Sequence, residues 1–391
     1  MTVARECGGK STPSRLLLLN WRDPWHPQAG GAELLTLRVV EELTKAGWSV
    51  EWFSAAYPGA PSDSFVNGMH FVRAGCQTTV HFAAYQRYKR TNAFDIVIDE
   101  INTIPFYTPL YFKCRTFAWI NQLAADVWRY ESPKLLGMMG KVLEPIYLSP
   151  YRRTEIITIS DSSANSLRQI GFQGKIHIIP MAVDELADEY KPRKTEPPDI
   201  LVVGRLTPSK RLEHALMAAA DLKRMGWRGN LHIVGGGKER YAARLRSIGM
   251  KLLGSTAVFH GRVSMRKREQ LLKACTVLWM TSVHEGWGLV VTEAARHWTP
   301  AVAYNVPGLR DSIIEGSTGK LVPERPEALA MATYDMFATN VEHYAKDAML
   351  HSRSLSWEKT GEVVRLLLQK DARKEYANVE MDPLLASKHG E

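Results

Sequence analysis

Cysteine is scarce in this chain, with four in 391 residues. Cys7, Cys76, Cys114 and Cys275 lie far apart and form no Cys-x-x-Cys pair. That argues against a zinc site or a disulfide framework and fits a reducing cytoplasm. Long apolar runs are missing as well. None approaches the ~18 residues of a membrane-spanning helix, and the run at 15–20 is too short for a signal peptide. No Asp-x-Asp occurs, so a paired-carboxylate metal site has no obvious ligands and no metal is expected. The Gly-x-Gly-x-x-Gly order is absent too. Gly235-Gly236-Gly237 follows an apolar run but lacks that spacing and reads as a structural turn. Acidic residues are the minority, giving a net charge of +9. This excess suits anionic ligands, an anionic membrane surface or plain solubility. No nucleic-acid recognition motif accompanies it, so no specific nucleic-acid partner is expected.

What is present is an ordinary globular composition, 45% apolar and 23% charged, in a chain long enough for two full cores. Short apolar runs rich in Ile, Val and Leu predict strands at 15–21, 49–55, 69–75, 95–99, 115–120, 155–160 and 175–179. A second set falls at 200–203, 231–234, 257–260, 277–280, 301–304 and 320–322. Such runs suit strands buried on both faces. Helical periodicity separates several of them. In 32–46, Leu35, Val39 and Leu43 recur every four residues before Gly47. The alternation predicts an α/β fold, two Rossmann-like doubly wound domains facing a central cleft. The expected division is a disordered leader at 1–14, an N-terminal domain at 15–190, a C-terminal domain at 191–355, a closing helix at 356–375 and a loose tail at 376–391. Pro192, Pro197 and Pro198 mark the linker. Residues 135–153 mix Leu, Met, Ile and Tyr with basic side chains and read either as a core-facing helix or as a membrane-surface one.

The most informative stretch is 284–295, His-Glu-Gly-Trp-Gly-Leu-Val-Val-Thr-Glu-Ala-Ala. Glu285 and Glu293 stand eight positions apart around a Gly-Trp-Gly turn, between an apolar strand and a helical pattern. Free N–H groups at the start of a helix, with its dipole, favour an anion. The carboxylates suit hydroxyl donors. A site that holds phosphate with backbone and hydroxyls with carboxylates fits a nucleotide-sugar.

Other candidates also follow strands. Gly30 and Gly31 end a long aromatic loop before a helix, so backbone and ligand can approach closely there; the alternative is a tight turn. Asp23 and His26 in that loop are acid–base candidates or loop caps. Arg205 and Lys210, five residues apart in Gly-Arg-Leu-Thr-Pro-Ser-Lys, either neutralise a diphosphate or form a solvated basic turn. Arg262 and Val263 end another strand, where backbone groups can meet a base edge. Asp99 and Glu100, with Asn102 after them, are acceptor contacts or caps.

Together these residues resemble the retaining glycosyltransferases of family 4, which have the GT-B fold. The resemblance runs from about residue 15 to 369. It rests on the E-x7-E segment Glu285…Glu293, the Gly204-Arg205…Lys210 turn and the Gly30-Gly31 loop, in that order and spacing. It implies that Glu293 holds the ribose hydroxyls of a nucleoside diphosphate and Glu285 the hydroxyls of the donor sugar. Gly286, Trp287, Gly288, Leu289 and Val290 would present N–H groups to phosphates and sugar. Arg205 and Lys210 would offset charge on the leaving diphosphate, and Arg262 and Val263 would lie near the base. No cofactor is implied beyond the nucleoside-diphosphate sugar, UDP- or GDP-linked, as co-substrate. The acceptor would be a carbohydrate, a lipid-linked sugar or a small molecule on the N-terminal domain. The location would be cytoplasmic, with peripheral contact at the inner membrane face as a further expectation. Two positions depart from the family pattern. Asn121 stands where many relatives carry a histidine, and Pro180-Met181-Ala182-Val183-Asp184 replaces the common Pro-Asn-Gly-Val-Asp. An amide hydrogen-bonds a sugar hydroxyl but relays no proton. A catalytically silent nucleotide-sugar-binding subunit is therefore the alternative, together with an epimerase or phosphorylase of the same fold. A glycogen-type phosphorylase would need a pyridoxal lysine segment, which is not found.

Overall fold

The structure, a computed structural model, describes residues 14–124, 127, 130, 134–184 and 192–369. The expected leader up to 13, the domain boundary at 190–191 and the tail lie outside these residues. The first sheet contains β1 (Arg15–Leu19), β2 (Ser49–Ser54), β3 (Asp63–Val66), β4 (Met69–Arg73), β5 (Ile96–Glu100), β6 (Arg115–Trp119), β7 (Glu155–Thr158) and β8 (Ile176–Ile178). Its order is β3-β4-β2-β1-β5-β6-β7-β8, parallel except for the β3–β4 pair. The second contains β9 (Ile200–Val203), β10 (Leu231–Val234), β11 (Ala257–Gly261), β12 (Val277–Met280), β13 (Ala301–Tyr304) and β14 (Gly319–Val322), ordered β11-β10-β9-β12-β13-β14. All of its pairings are parallel.

The helices of the first half are α1 (Gly31–Lys45), α2 (Val80–Tyr88), α3 (Lys134–Tyr147) and α4 (Asp161–Gln169). Those of the second are α5 (Leu212–Arg224), α6 (Glu239–Leu253), α7 (Met265–Ala274), α8 (Leu289–Arg296), α9 (Leu309–Ser312), α10 (Pro326–Thr339), α11 (Val341–Arg353) and α12 (Trp357–Gln369).

β1 shows why these strands are apolar throughout. Leu16 and Leu18 enter one core with Leu35 and Val39 of α1, while Leu17 and Leu19 enter another with Phe53 and Val97. Side chains alternate across a strand, so a central parallel strand needs apolar residues on both parities. α12 returns to the first domain. Its Val364, Leu367 and Leu368 share the core of α1, and the Thr360 hydroxyl donates to the Pro180 carbonyl at 3.0 Å. The proline-rich linker is fastened rather than loose where it is described. Half-buried Lys194 donates to the Lys273 and His297 carbonyls at 3.1 and 2.8 Å and to Thr299 at 2.6 Å.

The helix expected at 135–153 ends at Tyr147, and a 3-10 turn, Ser149–Tyr151, follows. Tyr151 is buried, whereas Val142 and Ile146 are 68% and 61% exposed. Among the described residues no helix is long and apolar enough to cross a membrane.

Both sheets reverse strand order at a switch point, β1 beside β5 and β9 beside β12. Ligands of open α/β sheets bind beyond the carboxyl ends of strands at such points. The loops after these four strands carry Gly30 and Gly31, Asn102, Arg205 and Lys210, and Glu285.

Candidate functional site

The loops after β9 and β12 are tied into one unit by Arg211, which the sequence reading did not single out. Its guanidinium is buried, donating to the Thr281 carbonyl at 2.8 Å, the Ser282 carbonyl at 2.7 Å and the Glu324 carboxylate at 2.5 Å. It also stacks over Tyr304 at 4.8 Å. The Thr281 hydroxyl bonds back to the Lys210 carbonyl at 2.7 Å, and Val283 N–H reaches the Ser209 carbonyl at 2.9 Å. This scaffold sets the ammonium of Lys210 on Oε1 of Glu285, which also accepts from the Ser282 hydroxyl at 2.6 Å. Burial works to raise the Glu285 carboxyl. The Lys210 charge and hydrogen bond, Ser282 and neighbouring His284 outweigh it and hold it below the ordinary carboxylate range. With side chains 22% and 14% exposed, Lys210 and Glu285 are reachable from the cleft. A small pocket beside them is lined by Gly204, Arg205, Lys210, Met280, Thr281 and Ser282.

Past Glu285 the chain turns through Gly286, Trp287 and Gly288 into α8. Gly288 has φ +87°, a left-handed conformation that favours glycine. The first-turn N–H groups of Leu289 and Val290 have no intrahelical acceptor by geometry. Glu293, one turn further on, is not free. Arg268 of α7 grips it with two nitrogens on two carboxylate oxygens, one at 3.0 Å and the other closer. Arg205 and Arg262 are exposed, and Val263 packs partly against the second-domain core.

Across the cleft, buried Glu33 is a hub. Its carboxylate accepts from Gly30 N–H at 2.7 Å, Arg22 at 2.7 Å and the Asn102 amide at 3.2 Å. The Asn102 amide also donates to Asn20 at 3.1 Å. Glu33 therefore shapes the Gly30-Gly31 loop. Glu100 lies within the same cluster. Burial first, then the Glu33 charge, pushes its carboxyl up to about 8 against the pull of Thr36 and Asn20. Asp23 and His26 serve the loop. Asp23 is fully buried against Arg73 and accepts from the Tyr57 hydroxyl at 3.2 Å and from Trp25 N–H at 3.0 Å. His26 Nδ1 accepts from Gln28 N–H at 3.1 Å. Asp99 is likewise a cap, accepting from Phe106 N–H at 3.0 Å, the Thr108 hydroxyl at 3.3 Å and the Tyr151 hydroxyl. Asn121 spends its side-chain oxygen on the Trp119 indole N–H at 2.8 Å, so its amide NH2 is the group left to donate to a ligand.

The two halves meet at these loops. A β-carbon on Gly31 would stand 2.8 Å from Leu289 Cδ1, and one on Gly286 would stand 2.9 Å from the Asn121 carbonyl oxygen. Trp287 and Leu289 pack on the first-domain core, and the buried Trp287 indole N–H has no hydrogen-bond partner among the described residues. The structure thus brings Gly30, Gly31 and Asn121 to the turn that follows Glu285, with Lys210 on Glu285 itself. It leaves Arg205 and Arg262 in solvent at the edge.

Two doubly wound sheets joined across such a cleft define the GT-B class. The Glycosyltransferase Family 4 model matches residues 29–185, and the Glycosyl transferases group 1 model matches 184–346. The chain belongs to the family 4 glycosyltransferases. It is 31% identical over 186 residues to 2-deoxystreptamine glucosyltransferase of Streptomyces kanamyceticus, spanning 44% of this chain and 46% of that one. It is 28% identical to a D-inositol 3-phosphate glycosyltransferase of Acidothermus cellulolyticus, over 92% of this chain and 91% of the relative. The chain spans less than half the length of the first relatives it matches, 46% and 40%. Among solved structures, sucrose-phosphate synthase from Thermosynechococcus elongatus superposes with TM-score 0.76 at 20% identity, covering 90% of this chain and 98% of that one. Anabaena HepE in complex with UDP and glucose gives TM-score 0.68 at 15% identity, covering 91% and 99%.

Proposed function

We propose that the protein transfers a sugar from a nucleoside diphosphate to an acceptor hydroxyl with retention of anomeric configuration and without a metal. The observation that carries this reading is the Lys210–Glu285 pair set beside the Gly286–Gly288 turn, with the Glu293 carboxylate one helical turn beyond. Glu285, kept ionised by Lys210, accepts from donor-sugar hydroxyls. Glu293 accepts from the ribose, and the α8 N-terminus meets the phosphates. As the bond from the sugar's anomeric carbon to the diphosphate oxygen breaks, negative charge grows on the diphosphate. Lys210 is placed to offset it, and Arg205, long and unpinned at the rim, can join it. The acceptor oxygen bonds to the same face of the anomeric carbon and gives its proton to the departing phosphate. The Asn121 amide positions a hydroxyl and takes no part in proton transfer. The acceptor lies on the first-domain side, near Asn102. The exposed apolar side chains of α3 would suit a lipid-linked acceptor at the inner face of a membrane. A UDP- or GDP-linked sugar is the proposed donor, and HepE, which binds UDP, supports the uridine case.

The test is calorimetric titration with UDP, GDP, ADP and dTDP without added metal. Selective binding of one, lost in Glu293→Ala, is expected. Lys210→Ala should cut turnover by about a hundredfold while changing donor affinity far less, because diphosphate charge develops in the transition state. Binding of none, or normal turnover in Lys210→Ala, overturns the reading.

A further inference from the structure

The outer edge of the second sheet carries a line of polar side chains that the site described above does not use. Asp199, just before β9, is buried, and its Oδ1 accepts from Asn230 N–H at 2.6 Å and from the Asn230 amide at 3.2 Å. Its Oδ2 lies 3.1 Å from Nε2 of His232 on β10. Nδ1 of His232 in turn lies 2.9 Å from Nε2 of His260 on β11, with the two rings stacked at 5.2 Å. The line crosses three strands and ends at His260.

His260 is also where the pairing of β10 with β11 slips. Ile233 faces Phe259, but Val234 faces Gly261, so His260 is one residue more than the partner strand can match. Such a bulge leaves the extra residue out of the ladder and re-aims the chain that follows. Gly261 comes next at φ +65°, and its carbonyl accepts from Gly235 N–H at 2.8 Å. Arg262 then lies across Gly236, where a β-carbon would stand 2.7 Å from its Nε. Ala257 and Phe259 face α6, where a β-carbon on Gly249 would meet them at 3.3 and 2.9 Å. Alternation puts His260 on the other face with His232. There α7 contributes the charge of Lys267, with Arg268 of the same helix turned to Glu293.

A carboxylate only accepts, so His232 carries a hydrogen on Nε2 and donates it to Asp199. Between His232 Nδ1 and His260 Nε2 there is room for one hydrogen, supplied by either ring. A first extra proton leaves that bond intact, and the Asp199 charge balances it. A second makes both rings cations with N–H groups facing each other, and the contact is lost. Burial first, then the His232 and Lys267 charges, hold His260 below the ordinary histidine value. The bond is therefore kept at neutral pH and broken in acid.

We propose that His260 is a positioning residue for the donor site: through His232 and Asp199 it fixes the bulge that sets Arg262 and Val263 against the nucleotide base, and it releases them in acid. The proposal rests on the donor-site reading, in which the base lies at Arg262 and Val263. It adds the side chains that hold that loop and makes donor affinity depend on their protonation.

The experiment is calorimetry on the full chain with UDP and GDP at about pH 7.5 and about pH 5.5, on either side of the histidine range. The wild type is compared with H260Q, H232Q and the double variant. Glutamine keeps a hydrogen bond across the pair and takes no charge. H260Q is expected to bind within about twofold of the wild type at the higher pH and about three- to tenfold more tightly than it at the lower. H232Q removes the facing imidazole and should show the same relative gain, and the double variant no more than either. Protonation of the diphosphate itself is common to all four proteins and cancels in the ratio. A merely structural role for His260 would weaken binding by one factor at both pH values. A variant-to-wild-type ratio that does not change with pH therefore overturns the proposal while the donor-site reading stands. Failure of both nucleotides to bind the wild type at the higher pH overturns both.

Discussion

Glu100 stands at the end of β5, fully buried, with its carboxyl pushed up to about 8 by burial and by the nearby Glu33 charge. In the unfolded chain it would titrate near the ordinary glutamate value of 4.5. Between those two values the folded protein holds a proton that the unfolded chain has released. The stability contributed by the neutral form is complete below the unfolded value and is lost as pH rises through about 8. Glu100→Gln cannot ionise, and its amide can still donate to the surrounding acceptors. Its melting temperature should match the wild type in acid and exceed it in mild alkali, with a gain on the order of 1–4 kcal/mol. Melting curves across pH decide it, and a constant offset between the two proteins would show that Glu100 does not titrate in this window. Lys210 and Glu285 illustrate the opposite balance: burial raises the carboxyl there too, but a cation in contact outweighs it. One buried glutamate holds a proton and another holds a charge, depending on which partner the fold supplies.

Between elements, the decisive contacts are close backbone approaches. Gly308 precedes α9 at φ +82°, and a β-carbon there would run into the Glu285 carbonyl. Glu285 N–H in turn donates to the Pro307 carbonyl at 3.1 Å. The Glu285 carboxylate is thus placed from below by the turn into α9. Gly308→Ala should strain that turn by on the order of 1–3 kcal/mol and shift Glu285 away from Lys210. The expected readout is a loss of turnover of tenfold or more with the second domain still folded; unchanged kinetics would separate Gly308 from the site. Such couplings explain what was legible in the sequence and what was not. β9, β10, β12 and β13 were expected at the residues where they occur, because each is an apolar run bounded by polar or turn residues. β3 was not expected. It is an edge strand with Phe65 73% exposed, so Asp63-Ser64-Phe65-Val66 carries no continuous apolar run, and its inward parity pairs polar Ser64 with Val66, which packs on the core. The Glu285…Glu293 spacing and Lys210 were visible because a local turn determines them. Glu33, Arg211 and Arg268 were not. A sequence shows that a side chain is charged, but which groups fold around it depends on contacts distant in the chain, 25 positions for Arg268, 69 for Glu33 and Asn102, and 113 for Arg211 and Glu324. The signal that could have found Arg211 is its place beside Lys210 in a loop already suspected. Nothing local marks Arg268 among the basic residues of α7.

At the scale of the molecule, the question is what holds the two sheets closed over the cleft. Thr360 and the apolar face of α12 bind the chain's return to the first domain, on the hinge side. At the cleft itself the bridge is Asp311. Its Oδ1 accepts from Ser162 N–H in the first turn of α4 at 3.1 Å, and its Oδ2 accepts from Gly308 N–H at 2.9 Å. A carboxylate at a helix N-terminus is favoured by the free N–H groups and the dipole, by about 0.3–1 kcal/mol near a surface, with roughly another 1 kcal/mol for the hydrogen bond. That is small against folding but comparable with the difference between open and closed arrangements of two domains. Closure also brings Leu289 against Gly31 and Trp287 onto the first-domain core, so it assembles the site from both halves. Asp311→Ala removes the bridge without touching Lys210, Glu285, Arg268 or Glu293. Donor affinity, assigned mainly to second-domain residues, should therefore stay within about twofold, while turnover falls about three- to tenfold, the equivalent of roughly 1 kcal/mol. Small-angle scattering of the ligand-free variant should report a larger radius of gyration than the wild type. If the radius and turnover both match the wild type, closure does not depend on Asp311, and the packing of Trp287 and Leu289 must suffice. If donor affinity falls as far as turnover, Asp311 acts through Gly308 on the Glu285 loop rather than through the domains. The paired measurement therefore distinguishes a hinge effect from a local one.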